Sequence, residues 1–418
     1  MASPVGRGPV TTHPQWPHRQ LEVRGLRAAG VAAVPFRSVV LKVHSRCNLA
    51  CDYCYVYEMA DTGWRRQPPT MSAPVAAAAV GRIAAHARAH DLDSVQVSLH
   101  GGEPLLAGAA FIEDLAGRLR GALPARTRAD LVVQTNGTRL DRRMLDVLAR
   151  HEIRVGVSLD GDQAATDRHR RYPGGRGSYE SAARACELLR SPGYRRIYGG
   201  LLCTVSLEND PVATYDALAA LGPPLIDFRL PHGTWTDPPP GRHPDESTPY
   251  ADWLLAVYRR WTQAPSEARP AVRIFDAIIR LVLGGSTRAA PVGLAPSAVI
   301  VIDTDGAIKQ DDALYAAYDG AADTGLSVLT DDLDAALDHP TTAATQIGLL
   351  ALSDHCRACP VVDVCGGGYY PHRYRAPDGF RNPSVYCPDL LALISTIQDH
   401  VRTEVRRLSA ERGTDPAG

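Results

Sequence analysis

The sequence predicts an α/β protein, in the form of a partial TIM-like (β/α)6 barrel followed by a small loop-rich, cysteine-bearing domain. Short apolar, β-rich runs alternate with amphipathic stretches of helical period over residues 37–235. Alternation of this kind indicates βαβ units that pair as a parallel sheet, and six such units fit this length. After residue 296 the pattern changes to cysteine-bearing, glycine-rich loops. These observations predict a barrel and a second, smaller domain.

Six runs are the candidate strands of the barrel: 38–43, 94–99, 130–134, 153–158, 198–205 and 225–230. The helices predicted between them are 72–90, 109–122, 141–151, 178–190 and 211–221. Ser72 is a suitable N-cap for the first of these helices, and Pro74 is tolerated in its first turn. Two longer helices are predicted at 246–263 and 270–284, and the Asp305-Gly306 turn predicts a hairpin across 299–308.

Changes in composition divide the chain into five regions. Residues 1–36 are rich in Pro, Gly and Arg and are expected to be a loosely ordered extension, too short for a peptide-recognition domain. The barrel is expected at 37–235, a helical bridge at 236–295 and the cysteine-bearing domain at 296–400. Residues 401–418 are expected to form a tail, frayed and charged from 404 onwards.

Bulk composition narrows the function classes. The chain has 418 residues, of which 45% are hydrophobic and 22% charged, and its net charge is −1. These values are ordinary for a globular protein and give no electrostatic reason to expect a nucleic-acid partner. No apolar stretch reaches the ~18–20 residues of a membrane helix, and no signal-peptide core is present. A cytoplasmic protein without a membrane or nucleic-acid partner is therefore expected.

Three cysteines follow the first predicted strand in the spacing C-x3-C-x2-C: Cys47, Cys51 and Cys54. Iron–sulfur clusters are usually held by four cysteines. Three thiolates from one loop would leave one iron open to chelate a small molecule. Half of a zinc site, or a set of buried free thiols, is the alternative for this triplet, although zinc sites favour paired C-x2-C units.

This spacing, with the aromatic Tyr53 before the last cysteine, resembles the signature of the radical S-adenosylmethionine (SAM) enzymes. The resemblance implies a 4Fe–4S cluster whose open iron binds the amino and carboxylate groups of SAM. It also implies that SAM cleavage yields a 5′-deoxyadenosyl radical, which removes hydrogen from unactivated C–H bonds. The fold that the resemblance implies is the same (β/α)6 partial barrel.

The resemblance also implies a set of SAM contacts at the ends of the predicted strands. Gly101-Gly102-Glu103 resembles the family's GGE motif, in which the glycines let the backbone approach the ligand and acceptors hold the SAM amino group. Arg170, chosen over Arg168, is expected to fork onto the SAM carboxylate. The other expected contacts are Tyr53, Asn136, Ser158, Leu202 and Thr204. An ordinary strand-end turn is an equal alternative for Asn136 and for Asp160.

A second cysteine group lies in the C-terminal region: Cys356, Cys359, Cys365 and Cys387. Zinc in a ribbon-like site is one interpretation. The group also resembles the SPASM domain, whose full form holds two auxiliary 4Fe–4S clusters on seven cysteines. Here the fourth position of the C-x2-C-x5-C-x3-C run is Tyr369, and the 299–315 stretch has no cysteine. The resemblance therefore implies one auxiliary cluster, ligated by four cysteines and suited to electron transfer.

Residues 41–58, 352–370 and 382–387 resemble FxsB-type radical SAM/SPASM maturases. This implies a ribosomal precursor peptide as substrate, a flavodoxin- or ferredoxin-type reductase as partner, and a C–C crosslink (a three-residue cyclophane) as product. Thioether formation, epimerisation and sulfatase maturation remain alternatives, as does a zinc-stabilised binding protein. Asp311 and Asp312 are weak candidates for the catalytic base, because turn aspartates are usually solvated.

Overall fold

The structure, a computed structural model, describes residues 15–242, 247–267, 269–287 and 291–411. These residues form ten strands: β1 Ser38–His44, β2 Ser94–Gly101, β3 Arg128–Thr135, β4 Arg154–Ser158, β5 Tyr198–Thr204, β6 Leu225–Arg229, β7 Ala271–Val272, β8 Val299–Ile302, β9 Ala307–Lys309 and β10 Asp323–Ser327. The helices are α1 Val23–Ala28, α2 Ala73–Ala89, α3 Ala109–Ala122, α4 Arg142–Arg150, α5 Gln163–His169, α6 Tyr179–Arg190, α7 Pro211–Ala220, α8 Pro249–Thr262, α9 Arg273–Val282, α10 Pro340–Gln346, α11 Asp354–Arg357, α12 Val362–Cys365 and α13 Cys387–Glu411.

The first six strands lie side by side in chain order, and each neighbouring pair is parallel. This arrangement confirms the predicted parallel α/β partial barrel. Val95, Val97 and Leu99 on β2 alternate with less buried residues, and all three belong to the main apolar core, together with side chains from α2 and α3. Because parallel strands share one direction, the loops that follow β1–β6 meet at one edge of the sheet.

Local chemistry explains where the barrel helices begin. The Ser72 hydroxyl accepts a hydrogen bond from the backbone N–H of Val75, as an N-cap residue does. Asp141 and Asp210 cap α4 and α7 in the same way. The short helix α5 after β4 has no counterpart among the sequence predictions, because its seven residues show too little periodicity to identify.

The sheet continues beyond the predicted barrel at both edges. β7 pairs in parallel with β6, so the 236–295 bridge adds a strand to the sheet. β8 pairs in parallel with β1, and β9 and β10 extend that edge in antiparallel fashion. The predicted boundary at 296 therefore separates regions that share one sheet of ten strands. Open strand edges attract pairing partners, and the hairpin region supplies one here.

Both chain ends differ from expectation where they are described. Trp16 is buried and contacts Tyr370, and α1 follows it, so residues 15–36 are not loosely ordered throughout. The C-terminal helix α13 runs from Cys387 to Glu411, so residues 401–411 are helical instead of a frayed tail. Residues 1–14 and 412–418 lie outside the described residues. None of the described helices is long and apolar enough to cross a membrane.

Candidate active site

The three cysteines of the first group lie in the loop that follows β1. Cys47, Cys51 and Cys54 are partly accessible and free of disulfides. Their sulfur atoms are close enough to act on one another electrostatically, and burial, the largest influence, raises the pKa of Cys47 to about 11 and of Cys51 to about 12. Such thiols ionise readily only when a metal supplies positive charge. Three clustered thiols from one loop fit a three-cysteine iron–sulfur cluster.

The Gly-Gly-Glu segment after β2 holds this loop in place. The backbone N–H of Gly102 donates to the carbonyl of His44, and that of Glu103 donates to the carbonyl of Arg46. A Cβ atom on Gly101 would lie 2.1 Å from the His44 carbonyl oxygen, and one on Gly102 would lie 1.9 Å from the Tyr57 hydroxyl. The glycines are therefore needed for close packing against the cysteine loop, and their expected contact with SAM stays a prediction.

Glu103 also has a different environment from the one that the motif predicts. Its side chain is fully buried, and its carboxylate accepts hydrogen bonds from three protein donors: the backbone N–H of Leu105, the Thr135 hydroxyl and the backbone N–H of Asn136. Burial raises its pKa to about 7, while these hydrogen bonds oppose the shift. The carboxylate ties the end of β2 to the end of β3, so its geometry favours a bracing role over a direct contact with SAM.

Asp160, just after β4, accepts hydrogen bonds from three separate segments at this edge of the sheet. It is buried, and its Oδ2 atom accepts from the Tyr53 hydroxyl and from Nε of Arg170 at 2.9 Å. Its Oδ1 atom accepts from the backbone N–H of Thr204 on β5 at 3.0 Å. One carboxylate therefore joins the cysteine loop, β5 and Arg170. Sequence reasoning treated Asp160 as an even choice between a ligand and a turn, because only the fold brings these partners together.

The structure distinguishes the two candidate arginines. Arg170 is buried, lies 5.4 Å from the centre of the Tyr53 ring, and is close enough to Cys51 to lower that thiol's pKa against the larger effect of burial. Within its guanidinium, only Nε donates a hydrogen bond to a described residue. The two Nη atoms of this guanidinium are therefore available for an anionic ligand. Arg168 pairs with Glu208 and is substantially exposed. The geometry therefore agrees with the choice of Arg170.

The remaining predicted SAM contacts lie at the same edge of the sheet, and they differ in how many hydrogen bonds they make to neighbouring residues. Asn136 donates to Sγ of Cys47 at 3.6 Å and to Asn48 at 3.0 Å, so it contacts the cysteine loop directly. Ser158 accepts from Gln134 at 2.9 Å. Leu202 and Thr204 end β5 and are partly accessible. Their contact with SAM remains a prediction.

The four cysteines of the second group come together at one small cavity. It is lined by Cys356, Cys359, Cys365 and Cys387 together with His355, Val362, Gly367, Ser384 and Leu390. Burial and the neighbouring thiols raise the pKa of Cys387 to about 12. Arg373 fixes the adjoining glycine turn by donating to the carbonyls of residues 366–368. Four thiols around one mostly apolar cavity fit a fully ligated cluster.

Between the two cysteine groups lies a buried polar cluster that includes Asp311 and Asp312. Tyr369 donates to Asp311 at 2.5 Å, so the tyrosine at the missing cysteine position contacts this carboxyl. Asp312 contacts Lys42 at 3.2 Å and Tyr55 at 3.0 Å. Neither aspartate is the solvated turn residue that was the simpler expectation, because the fold packs this turn against β1.

The two aspartates differ in protonation. Burial and the neighbouring Asp312 raise the pKa of Asp311 above its usual value. Burial also opposes the charge on Asp312, but Lys42 and His100 outweigh it and hold the pKa of Asp312 below its usual value. Asp312 is therefore the ionised partner of a buried lysine. Asp311, which is partly accessible, is the better placed of the two to exchange a proton.

Comparison with known proteins agrees with this site. Residues 41–215 match the model of the Radical SAM superfamily. The chain is 25% identical over 358 residues to the serine-type anaerobic sulfatase-maturating enzyme of Klebsiella aerogenes, covering 83% of this chain and 82% of that protein. It is 27% identical over 172 residues to the cysteine-type enzyme of Clostridium perfringens, covering 41% of this chain and 45% of that protein.

Solved structures show the same fold. The structure of native anSMEcpe with bound AdoMet aligns with a TM-score of 0.76 at 20% identity, covering 88% of this chain and 99% of that one. Streptococcus suis SuiB bound to its precursor peptide SuiA aligns with a TM-score of 0.52 at 16% identity, covering 86% and 77%. At these identities the likeness concerns the fold.

The parallel half barrel, the C-x3-C-x2-C loop and the matched residues 41–215 define a radical SAM enzyme. Residues 41–215 match the Radical SAM superfamily, and the radical SAM fold binds SAM and a 4Fe–4S cluster. Its C-terminal cysteine-rich region is consistent with a SPASM domain. Cys47, Cys51 and Cys54 are the residues that fit the SAM-binding cluster.

Proposed function

We propose that this enzyme carries out a two-electron oxidation of a side chain in a peptide, and that its product is an intramolecular C–C crosslink of the three-residue cyclophane type. The observation that carries the proposal is the partly buried Asp311–Tyr369 pair. Its neighbour Asp312 contacts Tyr55, next to Cys54, and Tyr369 follows Cys365 by four residues, which supports a proton acceptor near both cysteine groups. Several relatives and structural neighbours act on or bind peptides, as their names state, which supports a peptide substrate.

The first cysteine group would hold the cluster that, with SAM, supplies a 5′-deoxyadenosyl radical. The protein's own part is to orient SAM and keep the loop rigid. Arg170 has the charge and the free Nη atoms for the SAM carboxylate, while Asp160 and Tyr53 fix its guanidinium. Glu103 and the two glycines before it hold the cysteine loop against β2 and β3.

Asp311 is the proposed base. A crosslink between a side-chain Cβ and an aromatic ring removes two hydrogens: one leaves as an atom, and the other leaves the ring as a proton and an electron. Asp311 would accept the proton, and Tyr369 orients it through the 2.5 Å hydrogen bond. Asp312 is unsuited to this role, because Lys42 keeps it ionised in a buried pair.

Cys356, Cys359, Cys365 and Cys387 would hold an auxiliary 4Fe–4S cluster that accepts the electron. The meeting of four cysteines at one mostly apolar cavity supports this, since four protein ligands leave no iron for substrate. Residues 302–311 contain no cysteine, and Tyr369 occupies the remaining position, so a second auxiliary cluster of the full SPASM pattern lacks its ligands. A flavodoxin- or ferredoxin-type protein is the proposed source of the initiating electron.

Oxidation of a sulfatase serine or cysteine is the second candidate, and the similarity to sulfatase-maturating enzymes over 83% of the chain favours it. It requires the same removal of a hydrogen atom, a proton and an electron. The residues described above serve either outcome. What distinguishes them is the group that traps the carbon radical: a neighbouring arene in one case and the substrate's own oxygen or sulfur in the other.

The proposal is tested with anaerobically purified holoenzyme, SAM, dithionite and two classes of probe. One is the peptide encoded by a short reading frame beside the gene, and the other is a sulfatase peptide with its target serine or cysteine. Crosslinking and serine oxidation both remove two hydrogens, so intact mass alone does not separate them. Tandem mass spectrometry shows a crosslink as missing fragments between the joined residues, whereas a hydrazide reagent labels an aldehyde.

We expect the first peptide to lose two hydrogens without hydrazide labelling. Hydrazide labelling of the sulfatase peptide alone would replace the crosslinking proposal with sulfatase-type oxidation. Release of 5′-deoxyadenosine without any change in either peptide class would contradict both. A control with the Cys47, Cys51 and Cys54 triple alanine variant shows which changes depend on radical initiation.

A further inference from the structure

Two histidines and an aspartate form a cluster on the far side of α2, apart from both cysteine groups. His86 and His90 are one helical turn apart, and Asp334 lies in a short 3-10 helix, Leu333–Asp338, of the C-terminal region. One ring nitrogen from each histidine and a carboxylate oxygen of Asp334 all lie within 4.8 Å of one another. We infer that this cluster is a binding site for a divalent transition metal, and we propose zinc as the ion.

The donor set suits such an ion. Imidazole and carboxylate groups bind zinc, and histidines at positions i and i+4 of a helix present two nitrogens on one face. Oδ1 of Asp334 contacts Nδ1 of His86 and lies 3.0 Å from Nε2 of His90, so a single carboxylate already faces both rings. Three protein ligands with water in the fourth position is a common zinc arrangement.

Burial and charge are also favourable. His86 is buried, and burial lowers its pKa, so the ring carries one proton at neutral pH and keeps a lone pair for a metal. The Phe36 backbone is near the other nitrogen, without a well-aligned hydrogen bond. Asp334 is 43% exposed, which leaves room for a water ligand. His90 is the C-cap of α2, where the helix dipole favours a cation.

The site would join two distant parts of the chain. His90 and Asp334 are 244 residues apart, and the contact links the first barrel helix to the region after β10. Arg82, one turn before His86, already pairs with Asp332 across the same contact and donates to the Val328 carbonyl at 3.1 Å. A bound metal would therefore stabilise the folded state by fixing α2 against the C-terminal region, without contact with either cysteine group.

The test measures zinc and iron together in holoenzyme exposed to Zn²⁺ and then desalted anaerobically. His90→Ala and Asp334→Asn each remove a donor, and Asp332→Asn is the matched control because it breaks the neighbouring ion pair without removing one. We expect about one zinc per wild-type chain, at least tenfold less in the two donor variants, and unchanged iron in all four proteins. Zinc should raise the unfolding temperature of the wild type and the control only.

Zinc retained equally by the donor variants and the wild type, or not retained by the wild type, would overturn the proposal. Circular dichroism checks that each variant is folded. Zinc-edge X-ray absorption of the wild type provides a measurement that needs no variant. Nitrogen and oxygen ligands with imidazole scattering are expected, whereas sulfur ligands would assign the zinc to cysteines and contradict the site.

Discussion

The two cysteine groups differ in how their thiols are arranged and supported, although both use the same side chain. The first supplies three thiols from one eight-residue loop, 47–54, and its loop is braced by side chains and backbone groups at the ends of β2–β5. The second supplies four thiols spread over residues 356–387, around one small, mostly apolar cavity. Under the proposed assignment, the cluster on the first group keeps an open iron for SAM, and the cluster on the second has all four irons ligated by cysteine.

The residues that hold the two cysteine groups in place also differ. Around the first group the supports are ionisable and buried: Glu103, Asp160 and Arg170. Around the second, the buried side chain of Arg373 donates to three consecutive backbone carbonyls, and no carboxylate of the described residues is among its acceptors. A site that binds a charged cofactor needs placed charges, whereas a site that exchanges only electrons needs burial and ligands. The five predictions below test whether the first group binds SAM and the second transfers electrons.

The largest effect is expected from Cys47, Cys51 and Cys54. Replacing all three with alanine should abolish SAM cleavage, because only an open-site cluster chelates SAM. Iron should fall from about eight to about four atoms per chain, since the other cluster remains. Iron analysis and 5′-deoxyadenosine release measure the two outcomes. Retained cleavage, or about twelve iron atoms in the wild type, would contradict the two-cluster assignment.

Cys387→Ala tests the proposed role of the second cysteine group. If the fold survives, 5′-deoxyadenosine should still form with SAM and reductant, while the modified peptide should not accumulate. Circular dichroism and an iron count are needed, because removing a ligand can unfold a small metal domain. A folded variant that lacks the second cluster and still modifies peptide at the wild-type rate would show that this cluster is not the electron acceptor.

Asp311→Asn should slow product formation by about 10²–10⁴-fold, the range for loss of a general base, without slowing SAM cleavage. The base must be ionised, and the pKa of Asp311 lies above its usual value. Wild-type product formation should therefore rise with pH through that raised pKa, and the variant should lack this rise. Peptide mass spectrometry across pH measures it. An equal loss of 5′-deoxyadenosine would assign Asp311 to SAM binding instead.

Asp160→Asn should destabilise the protein by about 3–5 kcal/mol, because it leaves the buried Arg170 without its partner, and SAM binding should weaken. The matched control is Asp130→Asn, which breaks the exposed pair of Asp130 with Arg154 in the same sheet. That change should cost at most about 1 kcal/mol. Anaerobic urea unfolding and equilibrium dialysis of SAM give both values. Equal effects of the two variants would contradict the bracing role.

The smallest effect concerns Glu103. Its folded-state pKa of about 7 lies above the ordinary 4.5, so the stability that its proton contributes is present at low pH and is lost as pH rises through about 7. The contribution amounts to about 3 kcal/mol. Between about pH 4.5 and pH 7 the stability of the wild type should therefore fall relative to that of Glu103→Gln, whose amide does not titrate. A constant difference, with weaker SAM binding in folded Glu103→Gln, would restore the predicted SAM contact.

Much of the barrel could be predicted because its signals are local. The six barrel strands were located within a few residues, and Ser72 was identified as the cap of α2. The cysteine spacing was sufficient to identify the class of enzyme. The contacts of Gly102 and Glu103 with the rest of the protein could not be predicted. The Gly-Gly-Glu motif indicates only a ligand, whereas the protein partners, such as His44 and Asn136, lie at the ends of other strands.

The sequence by itself determined the βα alternation, the two cysteine groups and the missing ligand at Tyr369, since each is a matter of residue type and spacing. Only the tertiary structure decided that β8 extends the barrel sheet, that Asp160 joins Tyr53 to Arg170, and that Asp311 and Asp312 differ in charge. The physical reason is that a carboxyl group's role depends on what is packed around it. Those partners lie tens to hundreds of residues away along the chain, as Lys42 does from Asp312.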